Sequence, residues 1–155
     1  MDMEALRFDH AFEYEIQKDD AVTSESISIP SMLVQPYVEN AIWHGLLHLP
    51  EDGKREKGKL WIRFLKEGED ILKVEIQDNG VGRQKAKEIE GKDTLKKRSY
   101  GMQISKDRID LINKLYKYNT SVKVQDLKDQ QGIASGTKII LTVPVNNLLP
   151  LENLN

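Results

Sequence analysis

The sequence predicts an α+β fold, a two-layer sandwich in which a mixed, mostly antiparallel sheet is covered on one face by helices. Segments with strand-like apolar patterns occur near the start, in the middle and near the end of the chain, with helical periodicity between them. A hairpin signal, Glu-Gly-Glu-Asp at residues 67–70, joins the two middle strands and favours antiparallel pairing. Helices grouped against such a sheet bury their apolar faces on it.

Five segments are predicted as strands. The first lies within residues 8–16, where the alternation of side chains places Phe12, Tyr14 and Ile16 on one side. The other four, two flanking the hairpin and two near the end of the chain, are residues 59–66, 71–77, 122–125 and 138–144.

Three segments are predicted as helices. The first begins at residues 29–31, carries apolar side chains at helical spacing, and ends at Gly45 or Pro50. Pro36 lies inside it and has no N–H to donate, so it marks either a kink or the true first turn. The other two, one short and polar and one with apolar periodicity, are residues 84–90 and 102–117.

The composition is that of a globular domain without a strong charge. A length of 155 residues suffices for one domain with its own core. The net charge of 23 − 25 = −2 excludes a global basic field for nucleic acid or an anionic membrane. Cysteine is absent, which removes disulfides and thiolate metal sites and fits a reducing cytoplasm. No apolar run approaches the roughly 20 residues that span a bilayer, and the N-terminus lacks a signal-peptide pattern.

The chain is expected to hold one domain at residues 8–145. Residues 1–7 resemble a helix entered midway, so we interpret them as the end of a preceding helix or a linker. Residues 146–155 have no clear period and are assigned as a C-terminal tail.

Two polar side chains on the first helix form a candidate binding face. Asn40 and His44 are four residues apart and therefore share one side of the helix. A carboxamide oxygen suits Mg²⁺, whose other positions phosphate oxygens and water can fill. Taken alone, the pattern is more typical of a helix that is polar where it meets solvent.

A second candidate follows the middle pair of strands. Asp78, at a strand end, can accept a hydrogen bond from an exocyclic amine such as that of adenine, and Gly80 and Gly82 let the backbone approach a ring. The alternative is a tight turn, for which Asn-Gly is a common sequence. No Gly-Lys-Ser/Thr phosphate-binding loop occurs in the chain.

Two later segments extend this pattern. Residues 83–98 hold seven basic and three acidic side chains, a local charge of +4, and such a loop can close over a triphosphate. Taken alone, the pattern is more typical of a solvated basic loop. Gly101, at the start of the next helix, leaves backbone N–H groups free for phosphate oxygens. Gly136 and Thr137 precede the last strand, where the Thr137 hydroxyl can donate to a ring nitrogen or to Asp78.

The order and spacing of these segments resemble the GHKL ATPase superfamily, whose members share the Bergerat ATP-binding fold. The resemblance covers nearly the whole chain, from Phe8 to Val145. Within it, residues 29–45, Ile-Pro-Ser-Met-Leu-Val-Gln-Pro-Tyr-Val-Glu-Asn-Ala-Ile-Trp-His-Gly, are similar to the N box of LytS-like sensor histidine kinases. This segment is specific, because chance helices do not supply Gln-Pro-x-Val-Glu-Asn-Ala-Ile-x-His-Gly.

The resemblance implies a role for each matching position. Asn40 is implied to bind the Mg²⁺ that bridges the phosphates of ATP. Asp78 is implied to accept a hydrogen bond from the adenine amino group. Glu39 is interpreted as a structural or supporting carboxylate with a catalytic role left open, because the water-activating Glu of gyrase-like members falls at Pro36 here. The remaining implied ATP-binding residues are His44, Gly80, Gly82, Tyr100, Gly101, Met102 and Thr137.

Two positions depart from the family pattern. Trp43 stands where members often have Lys or Arg, which leaves one phosphate contact to be supplied elsewhere. Ser99 replaces the first glycine of the second glycine box, which reduces backbone freedom and leaves the affinity and lid geometry open.

The function implied is that of the Mg-ATP-binding catalytic domain of a two-component sensor histidine kinase. The phosphoryl group passes to a histidine of a dimerisation domain absent from this chain and then to a response regulator, and no nucleic acid is involved. We expect a cytoplasmic domain of an inner-membrane sensor, monomeric in isolation and homodimeric at full length. The surroundings of His10 and His48 do not match a phosphoacceptor, so the fragment is not expected to phosphorylate itself. The alternatives are an anti-sigma or switch-type protein serine kinase and a nucleotide-binding module without chemistry.

Overall fold

The computed structural model describes residues 12–22, 31–51, 53–54, 56–89, 106–111, 113–114 and 119–145. Five strands form one sheet in the order β1-β2-β3-β5-β4, in which β1 pairs parallel with β2 and the other neighbours are antiparallel. The α+β class with a mixed, mostly antiparallel sheet is therefore confirmed. The strands are β1 Phe12–Lys18, β2 Gly58–Glu67, β3 Ile71–Asp78, β4 Ser121–Lys128 and β5 Ala134–Pro144.

The helical layer covers one face of the sheet. Helix α1 (Ser31–Asn40) continues into a π-helical turn (Ala41–Gly45) and a 3-10 turn (Leu46–His48). Helix α2 spans residues 83–89, and α3 spans 106–114 with residue 112 undescribed. Side chains of α1 and its π turn pack on the central strands in one core, which includes Leu33, Tyr37, Ile42, Leu60, Val74, Ile76 and Leu141. No helix in the described part of the chain is long and apolar enough to cross a membrane.

The other face of the sheet carries charged side chains. Glu75 lies there at 8% exposure, with Lys138 Nζ at 2.9 Å and Lys73 Nζ at 3.4 Å. Burial by itself raises the pKa of Glu75, but the hydrogen bonds and charges of the two lysines outweigh it and hold the pKa below its usual value. The alternation along β3 thus separates a polar face from the covered face.

The structure differs from the prediction in several element boundaries and in the positions of two side chains. β4 and β5 are longer than predicted, and β1 runs on to Lys18. Ile16, predicted to lie on the same side of the strand as Phe12, is 48% exposed whereas Phe12 is buried, because β1 is an edge strand covered only at its start. Pro36 lies in the interior of α1 rather than in its first turn. The predictions for residues 1–11, 90–105 and 146–155 lie outside the described residues.

Candidate functional site

An open cleft lies between the end of α1 and the sheet, where β3, β5 and β4 run side by side. It encloses about 480 Å³, including the part that opens to solvent. The helical side contributes Asn40, Ala41, His44 and Gly45; the sheet and the loop after β3 contribute Ile76, Asp78, Gly82, Arg83, Val124, Thr137 and Ile139.

The strand register divides the sheet side of the cleft into a polar row and an apolar row. Asp78 of β3 is paired with Thr137 of β5, which is paired with Asp126 of β4. The next row towards the centre of the sheet is apolar and consists of Ile76, Ile139 and Val124. Because directly opposed residues point to the same face, the cleft has a polar edge beside an apolar floor.

Asp78 is the buried carboxylate of this cleft, at 4% exposure. Its Oδ1 accepts a hydrogen bond from the Gly80 N–H at 2.8 Å, and the backbone N–H of Thr137 also bonds to the carboxylate. Burial raises the pKa of Asp78 to about 6, while these two N–H groups act in the opposite direction. Burial disfavours the charged form of this carboxylate, and Asp78 faces a cleft. A buried carboxylate with a raised pKa in a cleft is typical of a functional group rather than a structural one.

The raised pKa predicts a pH dependence that Asp78→Asn should remove. The folded-state pKa, about 6, lies above the ordinary 3.8, so the folded protein holds this proton more tightly than the unfolded chain between those values. Stability from this group is therefore complete below about pH 4 and is lost as the pH rises to about 6, by about 3 kcal/mol.

Chemical denaturation at several pH values measures this difference. The wild type should lose stability relative to Asp78→Asn between pH 4 and 6, and the difference should be constant above that window. Parallel pH profiles for the two proteins would contradict the raised pKa.

Close backbone contacts hold the loop after β3 against the π turn. The Val81 N–H donates to the Gly45 carbonyl at 3.3 Å. A Cβ on Gly80 would lie 2.4 Å from the Gly45 carbonyl carbon, and a Cβ on Gly45 would lie 2.8 Å from Asp78 Oδ1. Gly45 is therefore required for this contact. It was predicted only as a possible helix end and as the last residue of the N-box-like segment, and neither pattern indicated its contact with Asp78.

Asn40 and His44 both line the cleft, as their spacing predicted. Asn40 ends α1 and His44 lies in the π turn, a feature that is frequent at functional sites. Glu39 instead lies on the exposed side of α1, where its Oε1 accepts a hydrogen bond from Gln35 at 2.8 Å. Its catalytic role stays a prediction.

The described residues contain no group of three or more His, Asp or Glu side chains that converge as a metal site. A magnesium ion near Asn40 would therefore need phosphate oxygens and water as its other ligands, which is the coordination Mg²⁺ tolerates well. The residues present fit a metal that arrives with a nucleotide.

Arg83 and Asp126 form a contact that no pattern in the sequence predicted. Arg83 Nε donates to Asp126 Oδ1 at 2.6 Å and Nη2 donates to Oδ2 at 2.7 Å. The sequence placed Arg83 in a basic segment closing over phosphates, but it begins α2 and is paired with a strand. Tyr100, Gly101 and Met102, the other predicted contacts on this side, lie outside the described residues.

Comparison with known proteins gives two kinds of similarity. No protein-family model matches the chain. In sequence, it is 26% identical over 111 residues to an uncharacterised protein, YwpD, of Bacillus subtilis (strain 168). That alignment covers 70% of this chain and 36% of YwpD, so the chain spans about a third of the relative's length.

In structure, the chain is similar to solved histidine kinases, among them the two described next. With the histidine kinase domain of the blue-light activated histidine kinase from Erythrobacter litoralis EL346, the TM-score is 0.56 at 18% identity, over 92% of this chain and 60% of that one. With the mycobacterial sensor histidine kinase MprB it is 0.53 at 16% identity, over 92% and 88%. At these identities the similarity shows the fold alone, which this chain shares with these histidine kinase structures.

Proposed function

We propose that this chain is the Mg-ATP-binding catalytic domain of a sensor histidine kinase. It would transfer the γ-phosphoryl group of ATP to a histidine on a dimerisation domain outside this chain. The observation that carries the proposal is the buried Asp78 carboxylate at the edge of an apolar cleft, with Asn40 and His44 on the facing helix. Together these groups suit a planar base at one end and a charged tail at the other.

The sheet side of the cleft supports adenine binding. The apolar row of Ile76, Ile139 and Val124 offers a surface on which the faces of a purine ring can pack. Asp78 can accept a hydrogen bond from the exocyclic amine of adenine. A base with a carbonyl at that ring position would instead place a second acceptor opposite the carboxylate, which is unfavourable. Adenine is therefore the base that this edge favours.

The helical side supports binding of the phosphates. The Asn40 side-chain oxygen is a suitable Mg²⁺ ligand, and His44 lies one turn further along the same wall of the cleft. A bound Mg²⁺ supplies neutralisation of phosphate charge, and the residues of the chain supply orientation. The site is thus suited to present a nucleotide to an external acceptor.

The acceptor is proposed to lie outside the chain. His44 lines the cleft, where the proposed nucleotide lies, and His48 ends the 3-10 turn that follows the π turn. The sequence surroundings of His10 and His48 do not match those of a phosphoacceptor. We propose a separate helical hairpin as phosphoacceptor and dimerisation element, with a response regulator as the next acceptor. On this basis the domain works in the cytoplasm as part of a membrane-bound sensor.

Transfer of labelled phosphate tests the proposal. The domain incubated with γ-labelled ATP and Mg²⁺ should remain unlabelled, and the kinase's own helical hairpin added in trans should acquire an acid-labile, base-stable phosphate slowly. Transfer is slow because the reacting groups meet only by diffusion. Labelling of His10, His44 or His48 in the isolated domain would overturn the proposal of an external acceptor. ATP binding without any transfer would favour the alternative, a nucleotide-binding module that does not transfer phosphate. Trp43, at a position where family members often have Lys or Arg, supports that alternative.

The magnesium role of Asn40 gives a second test. In the wild type, ATP should bind more tightly with Mg²⁺ than with EDTA, and Asn40→Ala should abolish that difference while leaving the unliganded melting temperature nearly unchanged. Calorimetric titration under both conditions measures it, with Gln35→Ala on the exposed side of α1 as the control. An undiminished Mg²⁺ effect in Asn40→Ala, or unfolding of that variant, would contradict the role.

A further inference from the structure

The ion pair between Arg83 and Asp126 joins two distant parts of the chain beside the cleft. Both oxygens of Asp126 accept from the guanidinium, at 2.6 and 2.7 Å, so the plane of Arg83 is fixed as well as its position. The same hydrogen bonds raise the pKa of Arg83 and lower that of Asp126, which keeps both charged. A single hydrogen bond would leave the guanidinium free to rotate.

The pair lies at the base end of the cleft. Asp126 belongs to the same transverse row as Thr137 and Asp78, and Arg83 itself lines the cleft beside Gly82. The segment 78–83 therefore starts in this row of the sheet, and the side chain of its last residue bonds back to the same row. Its first end is held by the bonds of Asp78, and its second end by Asp126.

The pair contributes little to global stability by this geometry. The Arg83 side chain is 39% exposed and that of Asp126 is 51% exposed, and pairs this open are screened by water and salt. The effect of the ion pair is local, because it fixes the position of Arg83 in the lining of the cleft. A guanidinium that is held along its Nε and Nη2 edge can still stack on a planar ring through its face, and Arg83 lines the cleft.

We propose that Asp126 is a positioning residue that holds Arg83 as the wall of the cleft against the purine ring. The Arg83–Asp126 pair thereby sets the affinity for the base rather than for the phosphates. This inference rests on the proposed adenine-nucleotide function. In this proposal Arg83 contacts the base, whereas the sequence pattern had predicted it within a basic segment that closes over the phosphates.

Titration of ADP and adenosine tests the proposal. Asp126→Asn should weaken the binding of both ligands by the same factor, roughly tenfold, because they share the base. Arg83→Lys should do the same, since lysine cannot form the two-bond fork. The double variant should lose no more than either single one. The unliganded melting temperature should remain within a few degrees of the wild type in all three.

Glu88→Gln is the matched control. Glu88 pairs with Lys85 at 3.5 Å on the same helix α2, exposed and away from the cleft lining, so its loss should leave both affinities unchanged. Wild-type affinity in Asp126→Asn would overturn the inference, and so would a loss for ADP that adenosine does not share. Failure of the wild type to bind either ligand would overturn the proposed function itself, and the inference with it.

Discussion

Gly136→Ala is expected to destabilise the domain by about 3 kcal/mol or more and to abolish nucleotide binding. Gly136 has φ +134°, and a Cβ there would lie 2.0 Å from the Asp78 carbonyl oxygen and 3.0 Å from the Asn79 Cα. These are backbone atoms, so they cannot move aside as a flexible side chain would. Separation of β5 from the end of β3 would displace Asp78 and the loop that follows it.

Gly132→Ala is the control that distinguishes the steric contact at Gly136 from the strain of a positive φ alone. Gly132 also has positive φ, +79°, but a Cβ there would meet nothing within 4 Å, so its replacement should cost only about 1 kcal/mol. Chemical denaturation of both variants measures the difference. Equal losses of stability would show that β5 does not approach Asp78 as closely as the structure has it.

Asp78→Asn is expected to weaken ADP binding by roughly 10- to 100-fold, the loss expected when a buried hydrogen-bonded partner is left unmatched. An asparagine offers one acceptor oxygen in place of two, and its amide would then oppose either the adenine amine or the Gly80 N–H. Glu75→Gln is the control, since Glu75 is a second buried carboxylate on β3 but faces the opposite side of the sheet. ADP affinity should fall in the first variant and stay unchanged in the second.

Local patterns in the sequence predicted the parts of the fold that depend on neighbouring residues. The β2–β3 hairpin follows from alternation and a Gly-containing turn, and α1 follows from apolar spacing. The meeting of Asn40 and His44 in one cleft also follows from a spacing of four. Asp78 was predicted as a site residue because a strand ends there beside two glycines.

The features that depend on distant pairing were not predictable in this way. The parallel alignment of β1 with β2 and the row that joins Asp78 to Asp126 are set by strand order and register, which no local pattern encodes. The Arg83–Asp126 pair joins residues 43 apart, so Arg83 stood out only as one of several basic side chains. The π turn after Asn40 had no sequence signal, because its apolar spacing suits an α-helix equally well.

The base selectivity of the cleft tests the central claim most directly. Wild-type protein should be titrated calorimetrically with ADP and with purine riboside diphosphate, which lacks only the exocyclic amino group. If Asp78 accepts a hydrogen bond from that amino group, ADP should bind at least roughly tenfold more tightly than purine riboside diphosphate. The preference should vanish in Asp78→Asn. Equal affinity of the wild type for the two ligands would contradict the assignment of this cleft as an adenine site.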